Sequence, residues 1–292
     1  MRRQELQDVE EAKEIKEVKE KNANVAAFFD LDGTLLPRPS LERRFFPMLR
    51  FRGRIGVANG LAWLQEAARL LPRGIGHLVN SNKAYLRGIP AAEAEMLRCP
   101  GFFPEALRRV TWHAEQKHLL VIVSGTLEPL ALAAARLLLE QLVSRSVAAA
   151  VDVCATKLEL AAGSWTGRVV GEAMFDESKA RAVRRFCAAQ GIETADCFAY
   201  GDTANDRWML EAVGRPQAVN PSDDLARIAR RNGWPILRWG RRAEARHLRE
   251  LSLTGGESAR RGVAGETTDW NIRIGGNAEL ASAKRECWRG TE

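Results

Sequence analysis

The sequence predicts an α/β protein built on a doubly wound parallel sheet, with a helical cap inserted after the first strand. Two observations predict the sheet: short apolar runs bounded by loop residues recur along the chain, and helical patterns separate the later runs. A third observation predicts the cap, because amphipathic helical patterns fill the stretch between about residue 40 and residue 109.

Four apolar runs are predicted to be buried strands. In chain order they are VAAFF, HLLVIVSG, DCFAYGD and PQAVN. Helical spacing predicts helices over EPLALAAARLLLEQLV and SKARAVRRFCAAQG, and Gly191 is expected to end the second as a C-cap. The segment CATKLELAAGSWTGRVVGEAMF is predicted to form a β-hairpin, because two β-rich runs flank a Gly/Ser/Trp turn.

The predicted cap contains three amphipathic segments, LERRFFPMLRF, RIGVANGLAWLQEAARLL and AAEAEMLRCPGFFPEALRRV. Since this region leaves the sheet directly after VAAFF, we expect it to lie over the end of that strand. The predicted core therefore comprises residues 23–38 and 110–249, and the predicted cap comprises residues 39–109. Residues 1–22 are predicted to form a charged N-terminal arm, and residues 250–292 a flexible tail rich in Gly, Ser and Thr.

Composition excludes several classes of protein. The 292 residues are 46% hydrophobic, which is enough to build a sizeable core. The five cysteines are odd in number and include no C-x-x-C pair, so neither a disulfide framework nor a zinc site is predicted. The charged N-terminus contains no apolar segment of the kind found in secretory signals. We therefore expect a cytoplasmic protein.

Charge and hydropathy favour anionic ligands and argue against a membrane span. The formal net charge is +7, but the arginines are scattered, so there is no strong nucleic-acid signal. The longest apolar tract, residues 119–143, is interrupted by Ser124, Gly125, Glu128 and Pro129. We interpret it as a buried strand, a loop and a helix rather than a transmembrane segment.

Polar residues follow three of the predicted strands. Asp30, Leu31, Asp32 and Gly33 follow the first, Ser124, Gly125 and Thr126 follow the second, and the third is followed by the sequence GDTAND at residues 201–206. Ligands bind beyond the carboxyl ends of the strands in open α/β sheets, so these residues are expected to form one site. Two carboxylates as close as Asp30 and Asp32 repel each other, and a cation or hydrogen-bond donors must compensate.

The sequence resembles the haloacid dehalogenase-like (HAD) phosphohydrolases, in particular the phosphoserine-phosphatase-like branch called subfamily IB. Four family motifs occur in order: DLDGT, VSGT, the lysine of DESKARAV, and YGDTAND. The resemblance covers roughly residues 25–239, including the hairpin before the lysine and the closing stretch VNPSDDLARIARRNGWPILRW. It implies a Rossmann-like HAD core.

The resemblance also implies a Mg²⁺-dependent phosphomonoesterase that acts on a small phosphorylated metabolite through an aspartyl-phosphate. Asp30 would be the nucleophile, and Asp32 the acid that protonates the leaving group and then the base that activates water. Mg²⁺ would be held by the Asp30 carboxylate, the Asp32 backbone carbonyl and Asp202, with Asp206 as a direct or supporting ligand.

The same resemblance implies how the phosphoryl group is bound. Ser124 and the backbone amides near Gly125 would donate hydrogen bonds, Lys179 would add positive charge, and Asn205 matches a position near the phosphate or substrate. We expect glycine at positions 33 and 125 to let the backbone approach the phosphate closely.

Two alternatives remain open: a phosphotransferase with the same intermediate, and a non-catalytic protein that binds phosphate and docks on anionic partners through basic arms. Four basic residues of the predicted cap are interpreted as helix-surface charge, with contact to an anionic group of the substrate as the alternative for each: Arg43, Arg44, Arg98 and Lys83. The four histidines show no metal-like spacing. The sequence predicts neither the substrate nor the oligomeric state.

Overall fold

A six-stranded parallel sheet forms the centre of the computed structural model, which describes residues 25–240. The strand order is β3-β2-β1-β6-β7-β8. These strands are β1 (Ala26–Phe29), β2 (Leu119–Leu127), β3 (Val151–Thr156), β6 (Phe198–Gly201), β7 (Arg215–Val219) and β8 (Ile236–Leu237). A separate antiparallel pair is formed by β4 (Leu158–Ala161) and β5 (Ser164–Val169).

Eight α-helices account for half of the remaining described chain. They are α1 (Leu41–Phe51), α2 (Val57–Leu70), α3 (Ile75–Ser81), α4 (Pro104–Glu115), α5 (Glu128–Val143), α6 (Glu177–Gln190), α7 (Arg207–Glu211) and α8 (Asp223–Arg231). Short 3₁₀ turns span Leu71–Arg73, Ala84–Leu86, Ala91–Met96, Thr194–Asp196 and Ala204–Asp206. The first predicted cap helix, LERRFFPMLRF, matches α1 residue for residue.

Both faces of the sheet are covered. Along β1, Ala27 and Phe29 belong to one buried cluster, and Ala26 and Phe28 belong to another. Helices α1, α4 and α5 contribute to the first cluster, and α6, α7 and α8 to the second. Successive strand residues point to opposite faces, so a strand that is apolar throughout needs cover on both sides. The predicted doubly wound parallel sheet is confirmed.

The sequence missed two strands. β3 contains Asp152 and Thr156, so it is not a continuous apolar run, and β8 has only two residues. The predicted hairpin is present as β4 and β5, but its first three residues, 154–156, belong to β3 and pair in parallel with β2. Propensity marked these residues as β-rich but could not assign them to a sheet.

The apolar tract at residues 119–143 differs from its prediction in one respect. β2 continues to Leu127, with a register shift against β3 between Ser124 and Leu127, and α5 begins at the next residue. The loop expected between the strand and the helix is therefore absent. Among the described residues, no helix combines the length and apolar character needed to cross a membrane.

The third predicted cap segment is divided between two elements. Residues 91–96 form a 3₁₀ turn, and α4 starts only at Pro104, because Pro100 and Gly101 interrupt the helical pattern. α4 then contributes Ala106 and Val110 to the core beside β2. The division into core and cap therefore stays a prediction. The arm and the tail lie outside the described residues.

The hairpin packs on the helical segment that follows β1. The backbone N–H of Trp165 in β5 donates to the Ile89 carbonyl at 2.9 Å, and that of Gly88 donates to the Trp165 carbonyl at 2.8 Å. The Trp165 ring meets Phe45 of α1 edge to face at 6.0 Å. The hairpin thus fixes residues 84–91 next to the carboxyl end of the sheet.

A buried chain of hydrogen bonds links α4 to β6. His113 Nε2 lies 2.8 Å from the Tyr200 hydroxyl, and His113 Nδ1 lies 2.7 Å from His118 Nδ1. Two facing ring nitrogens share one proton, so at least one ring is neutral. Burial, together with His118 and Arg109, lowers the pKa of His113 from 6.5 to about 2.

This histidine makes stability depend on pH. Below pH 6.5 the unfolded chain binds a proton at His113 that the folded chain does not. The contribution of the neutral His113 ring to the unfolding free energy is therefore lost as the pH falls. We expect the unfolding free energy difference between the wild type and His113→Gln to narrow by about 2 kcal/mol between pH 7 and pH 5. Urea denaturation at both pH values measures this difference, and a gap that stays constant contradicts the assignment.

Candidate active site

A cavity of about 140 Å³ lies at the carboxyl end of the sheet. The last residues of β2 and the segments after β1 and β6 meet there, together with the first turn of α6. All eight predicted site residues line this cavity: Asp30, Asp32, Ser124, Gly125, Lys179, Asp202, Asn205 and Asp206. The parallel strand order brings these segments together, since β2, β1 and β6 are neighbours in the sheet.

Lys179 connects the segment after β1 to the segment after β6. Its Nζ lies 2.6 Å from Asp30 Oδ1 and 2.6 Å from Asp206 Oδ1, and its side chain is buried. Burial alone would lower the pKa of Lys179, but the two carboxylates outweigh that effect and raise it. The ammonium group therefore stays charged inside the site.

Asp206 holds the segment after β6 in place. Its Oδ2 accepts hydrogen bonds from the Asp202 N–H at 3.1 Å, the Thr203 N–H at 2.9 Å and the Thr203 hydroxyl at 3.0 Å. A Cβ at Gly201 would lie 2.4 Å from the Asp206 Cβ, so glycine is required there. With Lys179 on Oδ1, both oxygens of Asp206 already have protein partners.

Three buried carboxylates form a cluster that suits a cation. Oxygens of Asp30, Asp202 and Asp206 all lie within 4.8 Å of one another. Burial raises the pKa of Asp30 well above its usual range. Lys179 lowers this pKa, and Asp206 and Asp202 raise it. Burial and Asp206 likewise raise the pKa of Asp202 to about 7, even though Arg38 Nη2 lies 2.6 Å from its Oδ2.

This donor set fits Mg²⁺. One buried lysine does not balance three buried carboxylates, and Arg38 is largely exposed to solvent. Hard divalent cations prefer oxygen ligands of this kind. The carboxylate of Asp32 lies outside the cluster.

Asp32 is held by the start of α1. Its Oδ1 accepts a hydrogen bond from the Leu41 N–H at 2.8 Å, at a helix N-terminus that favours negative charge. Burial nevertheless raises the pKa of Asp32 to about 6, with the Leu41 bond opposing the rise. Leu31 between the two aspartates is fully buried in the core.

The last residues of β2 place Gly125 against the ring of Phe175. Ser124 is buried, and its Oγ accepts a hydrogen bond from the Thr126 N–H at 3.3 Å. A Cβ at Gly125 would lie 2.3 Å from the Phe175 ring, and one at Gly33 would lie 2.0 Å from Asp202 Oδ2. Side-chain packing thus accounts for both glycines, where the sequence pointed to close approach of a phosphate.

The substitution Gly125→Ala tests this packing. Because the added methyl group must displace Phe175, we expect the unfolding free energy to fall by about 1–3 kcal/mol. Gly101→Ala is the matched control, since nothing lies within 4 Å of a Cβ there. Combining Gly125→Ala with Phe175→Leu should recover part of the loss. Equal denaturation midpoints for Gly125→Ala and the control would contradict the packing argument.

Lys83 is not the surface charge that the sequence predicted. It is buried, and its Nζ lies 2.6 and 2.7 Å from the two carboxylate oxygens of Glu42. The Tyr85 hydroxyl donates to Glu42 Oε1 at 2.5 Å. Glu42 and Tyr85 were also missed, because Glu42 lies on α1, 41 residues from Lys83 along the chain, and no local pattern pairs them.

Of the other basic residues of the predicted cap, Arg43 is exposed on α1, as predicted for helix-surface charge, whereas Arg98 is exposed in the loop before α4. Arg44 donates to the backbone carbonyls of Pro37, Arg38 and Pro39. Arg38, the partner of Asp202, gave no signal in the sequence, since a lone arginine in a Pro-rich turn has no distinguishing pattern.

Comparison with known proteins places the chain in a family. The model of the haloacid dehalogenase-like hydrolases matches residues 27–211. A probable phosphatase of Mycobacterium tuberculosis is 30% identical over 231 residues, which are 75% of this chain and 77% of that protein. A phosphoserine phosphatase of the same organism is 28% identical over 229 residues, covering 73% and 70% of the two chains.

A solved structure agrees with the fold. A Bordetella pertussis protein of unknown function is 29% identical in sequence and superposes with a TM-score of 0.57, over 73% of this chain and 98% of that one. The shared fold agrees with the family match to residues 27–211. The position of the site, at the carboxyl end of the sheet, agrees with both. The chain belongs to the haloacid dehalogenase-like hydrolase family.

Proposed function

We propose that this protein is a Mg²⁺-dependent phosphomonoesterase that uses Asp30 as its nucleophile. The observation that carries the proposal is the contact of Asp30 with the buried, charged Lys179 inside a cavity of about 140 Å³. A positive charge beside the nucleophile attracts a phosphate group and offsets its negative charge. The relatives described as a probable phosphatase and a phosphoserine phosphatase support this reaction class.

The residues present suit the metal. Asp30, Asp202 and the backbone carbonyl of Asp32 would hold Mg²⁺, with Asp206 as a supporter because both of its oxygens already have protein partners. When bound, Mg²⁺ would neutralise charge on the carboxylates and on the phosphoryl oxygens.

In the first half of the reaction, a carboxylate oxygen of Asp30 attacks phosphorus and the bond from phosphorus to the alcohol oxygen breaks. Asp32 supplies the proton that the leaving alcohol requires. Burial raises the pKa of Asp32 to about 6, so near neutral pH a larger fraction of this carboxyl is protonated than of an ordinary aspartate. The Lys179 ammonium and the Ser124 hydroxyl bind the phosphoryl oxygens as the charge moves.

In the second half, Asp32 takes a proton from water, and the resulting hydroxide attacks phosphorus. The bond between Asp30 and phosphorus breaks, which releases inorganic phosphate and restores the carboxylate. A phosphotransferase would differ only at this point, since an alcohol would take the place of water.

Phosphate release from a panel of phosphorylated metabolites, including phosphoserine, tests the proposal. We expect turnover that needs Mg²⁺, stops with a chelator and returns when Mg²⁺ is restored. Parallel assays with an added alcohol distinguish hydrolysis from transfer, because transfer yields a new phosphate ester in place of free phosphate. Turnover that is unchanged by the chelator would contradict the proposed metal dependence.

A further inference from the structure

We propose that the substrate is an amphiphilic phosphate monoester presented in an anionic lipid surface, and that the cap docks on that surface. This inference rests on the proposed function, because the phosphate group must reach the cavity at Asp30. The argument starts from a second cavity beside the first.

The second cavity has a volume of about 560 Å³ and shares Ser40, Glu42 and Phe175 with the first. It therefore extends from the phosphate end towards the cap. Phe46, Tyr85 and Phe175 contribute aromatic walls, and the charge of Lys83 is neutralised by Glu42. The space beyond the phosphate end is thus four times larger than the first cavity and suits a leaving group with a substantial apolar part.

Part of the lining of this cavity is apolar and exposed to solvent. Phe46 of α1 and Val79 of α3 line the cavity, yet Val79 is 63% exposed. Ile75 lies one helical turn before Val79 on the same face of α3 and is 72% exposed. The apolar lining therefore continues out of the cavity onto the surface of the cap.

The neighbouring helix α2 carries a second exposed apolar stripe. Val57, Leu61 and Leu64 follow the helical spacing i, i+4, i+7, and each is more than half exposed. α2 contacts α3, which carries Ile75 and Val79. We call these five residues the exposed apolar set. Contiguous apolar residues left in water in this way mark an interaction surface.

Charge identifies what this surface meets. Residues 41–96 contain nine Lys or Arg and four Glu, an excess of five positive charges that remains although Glu42 pairs with Lys83 and Glu93 with Arg52 and Arg54. Arg43 lines the cavity and is exposed, and Arg50 precedes Phe51, which is 94% exposed. An apolar surface with basic neighbours fits the interface of a bilayer that contains anionic lipid.

A second copy of this chain fits less well. It would bring the same excess of positive charge against the cap, and like charges repel. It would also cover the mouth of the 560 Å³ cavity, through which a substrate must enter. A lipid surface instead supplies an apolar chain for the cavity and a negative charge for the arginines.

Vesicle binding by the Asp30→Asn variant tests docking separately from turnover. We expect sedimentation with vesicles of phosphatidylglycerol and phosphatidylcholine, weaker binding to phosphatidylcholine alone, and weakening by salt. The triple variant Val57→Gln, Leu61→Gln, Leu64→Gln should bind at least tenfold more weakly. The matched control is Val143→Gln, Leu160→Gln, Val170→Gln, three exposed apolar residues outside the predicted cap, which should bind like the parent.

Substrate assays with the full chain complete the test. We expect the wild type to release phosphate faster from phosphatidic acid in those vesicles than from glycerol 3-phosphate. The triple variant Val57→Gln, Leu61→Gln, Leu64→Gln should release phosphate from both esters at the wild-type rate for glycerol 3-phosphate. Equal vesicle binding by the two triple variants overturns the docking surface, as does a dimer in solution that the first of them dissociates. Vesicle binding by the wild type without phosphate release from either ester overturns the proposed substrate class, whereas the proposed function is overturned only if the panel of phosphorylated metabolites, phosphoserine included, is not hydrolysed either.

Discussion

Replacing Asp30 by asparagine should abolish phosphate release, with kcat reduced by at least about 10⁴-fold. The amide has nearly the same shape as the carboxylate but is a far poorer nucleophile towards phosphorus. The fold should survive, because Lys179 retains its contact with Asp206 at 2.6 Å. Steady-state assays at saturating Mg²⁺, with circular dichroism on the same sample, measure both parts of this prediction.

An aspartate outside the site gives the matched control. Asp224 pairs with Arg227 on the exposed surface of α8, so Asp224→Asn should leave kcat unchanged. Asp30→Asn with more than a tenth of the wild-type kcat would show that another group attacks phosphorus. Asp224→Asn and Asp30→Asn make the same chemical change, from a carboxylate to an amide, at two different positions.

Replacing Lys179 by methionine should lower the unfolding free energy by about 3–5 kcal/mol in the absence of Mg²⁺. The methionine removes the only buried positive charge beside Asp30 and Asp206 in the described part of the chain. The carboxylates would then be left buried without a counter-charge. Urea denaturation in a chelating buffer measures the loss, and activity should be lost as well.

Two further variants separate this effect from a simple loss of packing. In the double variant Lys179→Met, Asp30→Asn, one of the uncompensated carboxylates is gone, so the loss should be smaller than the sum of the single losses. Lys157→Met is the control, because Lys157 is exposed and its ion pair with Glu128 is long, at 3.8 Å. This substitution should lower the unfolding free energy by less than about 1 kcal/mol. Additive losses in the double variant would contradict the electrostatic account.

The sequence located the site because strand ends are visible in local patterns. Asp30, Ser124 and Asp202 each follow an apolar run, and parallel strands bring such ends to one edge of the sheet. Lys179 was predicted only through the family resemblance, since its own helix pattern does not distinguish it from a surface lysine. The structure adds the contacts that set its charge.

Long-range packing accounts for what the sequence could not predict. The Lys83–Glu42 pair joins residues 41 positions apart, and the Arg38–Asp202 pair joins residues 164 positions apart. β3 was missed because Asp152 and Thr156 break its apolar run. Val57, Leu61 and Leu64 fit the apolar face of an amphipathic helix, and only the fold shows that this face of α2 meets solvent.

The most direct test of the proposed reaction is to find the phosphoryl group on Asp30. The wild type, mixed with substrate and Mg²⁺ and quenched in acid within a few turnovers, should carry the mass of one phosphoryl group on the peptide that contains residues 25–36. Borohydride reduction should then convert Asp30 to homoserine, because an acyl phosphate is reduced and a free carboxylate is not. Phosphate release at full rate with no phosphoryl group on that peptide, or with one on a different residue, would contradict the account.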